Sequence, residues 1–235
     1  MVDQDELMGI FSNLISEQKP MTLYNTYRGL PFSYDADVLA VEPGSVVTRV
    51  DRHQAVSMSS EGRTYLYIST LPEVIRANVV GVDFKNKQAT LNEFIGVGDT
   101  VGKRTSVRVQ PDESLEAEIY DGRRRIRGRI ADISASGMCI FTSATDMYGL
   151  SFRLGWEVYI DFMPPNTDTM VRFLGVITNI NYHDGSYLHR LGLKIFPNPE
   201  IKPVLEEYVV KQQRVILDEM EQTYILMCQG DSKQG

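Results

Sequence analysis

The chain has 235 residues, of which 43% are apolar, 23% charged and 9% aromatic. Enough apolar mass for a packed core excludes wholesale disorder, and the length suits one to two domains. Twenty-four Lys and Arg against 31 Asp and Glu leave a formal charge of −7, a field that disfavours broad coating by a polyanion yet allows one small anion at a local basic cluster. The two cysteines, Cys139 and Cys228, are too few and too far apart for a disulfide framework or a zinc site. No run approaches the eighteen or so apolar residues of a membrane helix, and the acidic start lacks the basic region of a secretory signal. The expectation is a cytoplasmic protein without a membrane span.

Leu7, Ile10, Phe11, Leu14 and Ile15 repeat at helical spacing and predict an amphipathic helix over 3–18, with Asp3 and Glu6 as a capping pair and Pro20 as its stop. The stripe serves either packing on a barrel or a partner. From Thr22 to Ile95 the pattern turns to short β-like runs. Tyr34–Val41, Ser45–Val50, Gln54–Met58, Tyr65–Ser69, Asn78–Phe84 and Gln88–Phe94 are the expected strands, split by breaks such as Pro43-Gly44 and Glu61-Gly62. Strands at that spacing suggest a small antiparallel barrel or sandwich.

Three glycines between Gly96 and Gly102 mark the hinge, because fixing glycine costs the most backbone entropy. Their spacing misses the dinucleotide G-x-G-x-x-G by one residue, and no helix-forming stretch follows. The second half repeats the β grammar. Leu115, Ala117 and Ile119 alternate with polar residues, and Asp121-Gly122 is read as a two-residue hairpin loop leading into Arg123–Ala131. Met138–Thr142, Glu157–Met163, Val171–Asn181 and Leu188–Phe196 complete a six-stranded barrel, with Asp184-Gly185 as another hairpin signal. A stripe from Leu205 to Met220 predicts a helix over 202–226, roughly 37 Å long. That length exceeds the barrel's width, so part of it should project or meet another subunit.

Two short patterns carry the chemistry. Arg104-Thr-Ser-Val-Arg108 is an R-x-x-x-R directly after the hinge, and Asp132-Ile-Ser134-Ala-Ser-Gly137 is a D-x-S-x-x-G between two strands. The arginine spacing recurs at Arg123/Arg127 and Arg125/Arg129, where alternate strand charges read as solvated. The second pattern is rarer, although a plain turn, with Asp and Ser bonding the backbone and Gly at positive φ, also explains it. Together and in this order, the two motifs resemble the PilZ domain, a bacterial receptor domain for cyclic di-GMP. The resemblance spans about residues 102–215. Leu191–Phe196 is similar to that domain's closing strand and the helix after Pro203 to its C-terminal helix; the preceding half is similar in kind to the N-terminal barrel of two-domain flagellar-brake proteins.

The resemblance implies a mainly β fold: two tandem small antiparallel β-barrels, the second a six-stranded PilZ-like barrel with a C-terminal helix. The expected division is an N-terminal helix and barrel over 1–98 as partner or dimer module, a hinge over 99–103, the ligand-binding barrel and helix over 104–228, and a polar tail over 229–235. The implied ligand is cyclic di-GMP, and the implied site is Lys103, Arg104, Arg108, Asp132, Ser134 and Gly137. The residue chemistry agrees. Guanidinium forks bond phosphate oxygens or guanine O6 and N7, and a carboxylate accepts guanine N1–H and N2–H₂. Residues 101–130 hold eight cations against five anions, a local +3 in an acidic chain.

The expected partners are this ligand and a protein, flagellar motor or polysaccharide machinery, with nucleic acid excluded and a homodimer formed through the final helix or the first barrel. An enzyme is not expected: His53, His183 and His189 show no metal-ligand spacing, and no nucleophile elbow or phosphate loop appears. A ligand-free adaptor is the rival to the receptor reading. An OB-type nucleic-acid barrel is the other, but the basic stretch 123–130 carries no aromatic side chain for base stacking.

Overall fold

The computed structural model describes residues 3–97, 106–111, 113–122, 124–143, 152–165, 170–182 and 188–230. The chain divides into two compact units, Met1–Arg104 with Ile216–Gly235, and Thr105–Val215. The hinge expected over 99–103 and the Asp184-Gly185 turn lie outside the described residues.

The first unit opens with helix α1, Gln4–Glu17, which buries Leu7, Phe11 and Leu14 and packs on the strand Val38–Glu42. Asp3 sits at its N-cap without a side-chain capping bond, and Gln18 closes it in the left-handed region at φ 52. Seven strands follow: β1 Met21–Tyr27, β2 Leu30–Ala36, β3 Val38–Glu42, β4 Ser45–Arg49, β5 Arg63–Tyr67, β6 Ile75–Asp83 and β7 Gln88–Gly96. They form an antiparallel sheet in the order β2-β1-β5-β6-β7-β4-β3. The single strand expected over Tyr34–Val41 is two, because β2 pairs with β1 at one edge while β3 pairs with β4 at the other. β1 escapes the sequence reading although its burial alternates from Met21 to Asn25.

Gln54–Met58 is helical, contrary to the expected strand. It lies within α2, Arg52–Glu61, where the Asp51 carboxylate accepts the His53 N–H at 2.9 Å and Gly62, at φ 66, closes the C-terminus. A capped start and a glycine stop on either side of ten residues outweigh a short ambiguous apolar run. Gln54, Ala55, Val56, Ser57 and Met58 are all buried. Gln54 donates to Asn25, which also accepts from Thr64 at 2.7 Å and donates to the Arg63 carbonyl.

The second unit is a closed six-stranded antiparallel barrel, β10-β13-β12-β11-β8-β9. Its strands are β8 Glu116–Tyr120, β9 Arg125–Ile133, β10 Gly137–Ser143, β11 Glu157–Phe162, β12 Val171–Tyr182 and β13 Leu188–Phe196. The predicted strands therefore stand, with small shifts at their ends. The first hairpin differs: Tyr120 pairs with Arg125, and Asp121 Oδ1 accepts the Arg124 N–H, so β9 starts at Arg125 instead of Arg123. Ile119, Ile140, Ile160 and Leu191 fill the interior at 0% exposure. A Cβ on Gly128 would lie 2.4 Å from Ile140 Cγ2, and one on Gly175 2.6 Å from Ile160 Cδ1, so these glycines let the wall close on bulky neighbours.

Helix α3 spans Ile201–Gly230, longer than expected at both ends. Asn198 Oδ1 accepts the Glu200 and Ile201 N–H groups at its start, and Pro203 sits in the first turn, where its missing N–H costs little. Gln229 and Gly230 belong to this helix and not to a tail. Its first half is counted with the barrel and residues 216–230 with the first unit. There Glu219 accepts from Tyr27 and Arg28, Arg52 pairs with Glu221 at 2.7 Å, and Tyr224 donates to the Phe84 carbonyl. Burial and the Glu219 carboxylate push the Tyr27 phenol up to about 12. The sequence assigns the helix to the ligand-binding half, with part of it projecting or meeting another subunit. The polar partners of its second half lie instead in the first unit of the same chain, far away in sequence and beyond the reach of periodicity.

On the barrel wall Asp161 faces Arg172 across β11 and β12, joined by Nε to Oδ1 at 2.7 Å and Nη2 to Oδ2 at 2.5 Å. The Arg172 hydrogen bonds hold the Asp161 carboxyl below its ordinary value against the opposing effect of burial. Because the folded value lies below the unfolded one, the pair's contribution is complete above the ordinary carboxylate pKa of about 3.9 and disappears as pH falls through the depressed value. Melting temperatures between neutral pH and pH 2 should therefore fall more steeply for the native chain than for Asp161→Asn, which removes this titration; equal slopes would contradict it.

Candidate functional site

The site is set up by a bulge in β9. Ile130 pairs with Ile140, but the next pair along is Asp132 with Cys139, so Ala131 is an extra residue on β9. Side chains alternate along a strand, and Ile126 and Ile130 point into the barrel; without the bulge Asp132 would follow them inward. The extra residue reverses the alternation. Ile133 becomes the buried residue, at 0% exposure, and Asp132 turns to the outer face.

There the Asp132 carboxylate lies between two arginines. Arg108 Nη1 donates to Oδ1 at 3.1 Å and Arg190 Nη2 to Oδ2 at 3.2 Å. One anion with two guanidiniums leaves a local excess of one positive charge at the barrel wall. Asp132 is 8% exposed, so its carboxylate is shielded from water on most sides, while the Arg108 and Arg190 side chains are part-exposed. Arg108 is anchored by its neighbour: Val109 exchanges both backbone hydrogen bonds with Ile133, at 2.9 and 3.0 Å.

The Ser134–Gly137 turn closes the other side. The Ser134 N–H and Oγ both donate to the Gly137 carbonyl, at 2.8 and 3.1 Å, and Ser134 Oγ accepts the Ser136 N–H. Ser106 Oγ lies 3.0 Å from Ser136 Oγ and donates to Ser134 Oγ at 3.4 Å. The segment carrying the first motif is thus pinned to the second. Gly137 does not adopt a positive φ, unlike the glycine of a simple turn. Its role is space: a Cβ there would lie 3.1 Å from Arg108 Nη2 and 3.3 Å from the Leu193 carbonyl.

Of the residues expected at the site, Arg108, Asp132, Ser134 and Gly137 converge; Lys103 and Arg104 lie outside the described residues. Two participants were not anticipated. Arg190 Nε donates to Cys139 Sγ at 2.8 Å while its Nη2 holds Asp132. The only sequence signal for Arg190 is its place in the predicted strand Leu188–Phe196, and for Cys139 its place in Met138–Thr142; neither belongs to a motif. Burial pushes the Cys139 thiol up, and the Arg190 hydrogen bond opposes this without overcoming it. Arg125 and Arg127 pair with Glu118 on the wall, in keeping with solvated strand charges. A cleft of about 370 Å³ adjoins Asp132, with Gln110, Arg129, Phe141 and Arg190 among its lining.

The domain model described as PilZ domain matches residues 102–211. This part of the chain is a PilZ domain. No curated protein matches the chain. Among solved structures, the chain is similar to the inhibitor of motility MotI/DgrA of Bacillus subtilis, at 16% identity and TM-score 0.43, covering 83% of this chain and 95% of that one. It is also similar to YcgR of Escherichia coli in complex with c-di-GMP, at 13% identity and TM-score 0.44, covering 94% and 95%. A third is the MrkH–c-di-GMP complex of K. pneumonia, at 12% identity and TM-score 0.43, covering 94% and 97%. Among the described residues no helix is long and apolar enough to cross a membrane.

On the outer wall of the PilZ barrel, a thiol that is 2% exposed and whose ionisation burial opposes is a poor nucleophile. Iodoacetamide at pH 8 should therefore modify Cys228 well before Cys139 in the native protein, with both modified after denaturation. Peptide mapping by mass spectrometry reads the order, and early labelling of Cys139 would contradict its assigned environment.

Proposed function

We propose that this protein is a receptor for cyclic di-GMP, bound on the outer wall of the PilZ barrel by Lys103, Arg104, Arg108, Asp132, Ser134 and Gly137. The observation that supports it most directly is the Asp132 carboxylate held between Arg108 and Arg190, beside the Ser134–Gly137 turn. A carboxylate with both oxygens already oriented still has lone pairs for the N1–H and N2–H₂ of a guanine. The arginines keep unused donors for O6, N7 or phosphate oxygens. The excess positive charge matches a ligand with two phosphates.

Lys103 and Arg104 directly precede this cluster in sequence and follow the glycine-rich stretch. A ligand that grips them together with Asp132 restrains the intervening chain. Binding then changes the arrangement of the two units and presents a new surface to a protein partner in motility or exopolysaccharide control, the first unit serving as partner or dimer module.

Calorimetry and thermal melting of the full chain with cyclic di-GMP test the reading. Ligand at about 100 times its dissociation constant should add roughly 2.7 kcal/mol of stability. Arg104→Ala and Arg108→Ala should each abolish that gain, and small-angle scattering should change on adding ligand. Absence of both heat and stabilisation in the native chain overturns the receptor reading in favour of a ligand-free adaptor; binding with unchanged scattering overturns the switching step alone.

A further inference from the structure

We propose that Arg129, Phe141 and Arg190 form a base-stacking shelf that presents a purine to the Asp132 carboxylate, extending the site beyond its two sequence motifs; the inference rests on the cyclic di-GMP reading. The three residues are direct cross-strand partners, Arg129 with Phe141 and Phe141 with Arg190, so they form one row across β9, β10 and β13. At a strand spacing of about 4.8 Å that row is roughly 10 Å wide, enough for the face of one purine. The Arg129 guanidinium lies over the Phe141 ring, 5.8 Å from its centroid. All three residues line the cleft beside Asp132.

The register explains how the row reaches the ligand. It lies on the same outer face as the Asp132–Cys139 pair, because the bulge at Ala131 brings Asp132 round to the side Arg129 already occupies. Arg190 joins the two rows diagonally, through Cys139 Sγ at 2.8 Å and Asp132 Oδ2 at 3.2 Å. A half-buried aromatic with the Arg129 guanidinium over its ring, next to Arg190 on the neighbouring strand, offers a flat surface to a base, and stacking of this kind tolerates any purine. Selection comes from the edge. The Asp132 carboxylate only accepts hydrogen bonds, so it suits the two donor groups on the Watson–Crick edge of guanine and meets an acceptor at adenine N1. Arg190, fixed at that edge, is also a positioning residue for Asp132.

Titration calorimetry of the full chain with cyclic di-GMP and cyclic di-AMP tests the shelf. The native chain should prefer the guanine ligand about tenfold or more. Phe141→Leu and Arg129→Ala should each weaken cyclic di-GMP binding about tenfold, and Phe141→Trp should retain it. Melting of each variant without ligand separates stacking from folding: Arg129 is exposed, so Arg129→Ala decides the matter if Phe141→Leu proves unstable. Native binding with both variants binding equally tightly overturns the shelf and leaves the receptor reading standing. No binding by the native chain removes that reading, and the shelf with it.

Discussion

The pairing of one carboxylate with two guanidiniums on the barrel wall is the interaction on which the site depends. Asp132 is largely out of water, and a buried charge is tolerated only when it is paired. Arg108 and Arg190 supply that pairing from segments 82 residues apart in the chain, one at the start of the barrel and one on its closing strand. The arrangement in turn depends on the bulge at Ala131. An unbulged strand would direct the Asp132 carboxylate among Ile126, Ile130 and Ile140, where no cation could follow it.

The barrel provides the rigidity this geometry requires. It has no open edge, and its interior is filled by aliphatic side chains from all six strands, with Gly128 and Gly175 where the wall closes on Ile140 and Ile160. Strands held in one register keep outer-face side chains at fixed separations. The Arg108–Asp132–Arg190 cluster is therefore fixed by the fold, at the cost of holding two arginines near each other. Asp132 offsets that repulsion, and the thiol of Cys139 offers Arg190 a neutral acceptor on its other flank.

Legibility differed between the units for a physical reason. In the second unit, alternation along Leu115–Ile119 and Leu188–Phe196 reports burial on one side of a closed wall, and the strands fall close to their observed positions. In the first unit the same apolar run could belong to a strand or a buried helix. Gln54–Met58 is buried all round, so it carries no amphipathic period, and only the Asp51 cap and the Gly62 stop mark it as helical. The second half of α3 posed a different difficulty: its periodicity announced a buried stripe but not which unit would supply Tyr27, Arg28 and Arg52 as its polar partners.

The order of residues alone determined the mainly β character, the six strands of the barrel and the two motifs that mark the PilZ domain, because local spacing and turn chemistry are written in short stretches of chain. It also named Lys103, Arg104, Arg108, Asp132, Ser134 and Gly137 as candidates, which motif spacing can do without coordinates; the last four meet on the barrel wall. Tertiary structure decided the rest: that Asp132 faces outward, that Gly137 makes room for a guanidinium, and that Arg190, Cys139, Phe141 and Arg129 share its surface. Those facts depend on strand register and on a single inserted residue. Register is a relation between distant segments, set by how the whole barrel closes, and no window of sequence contains it.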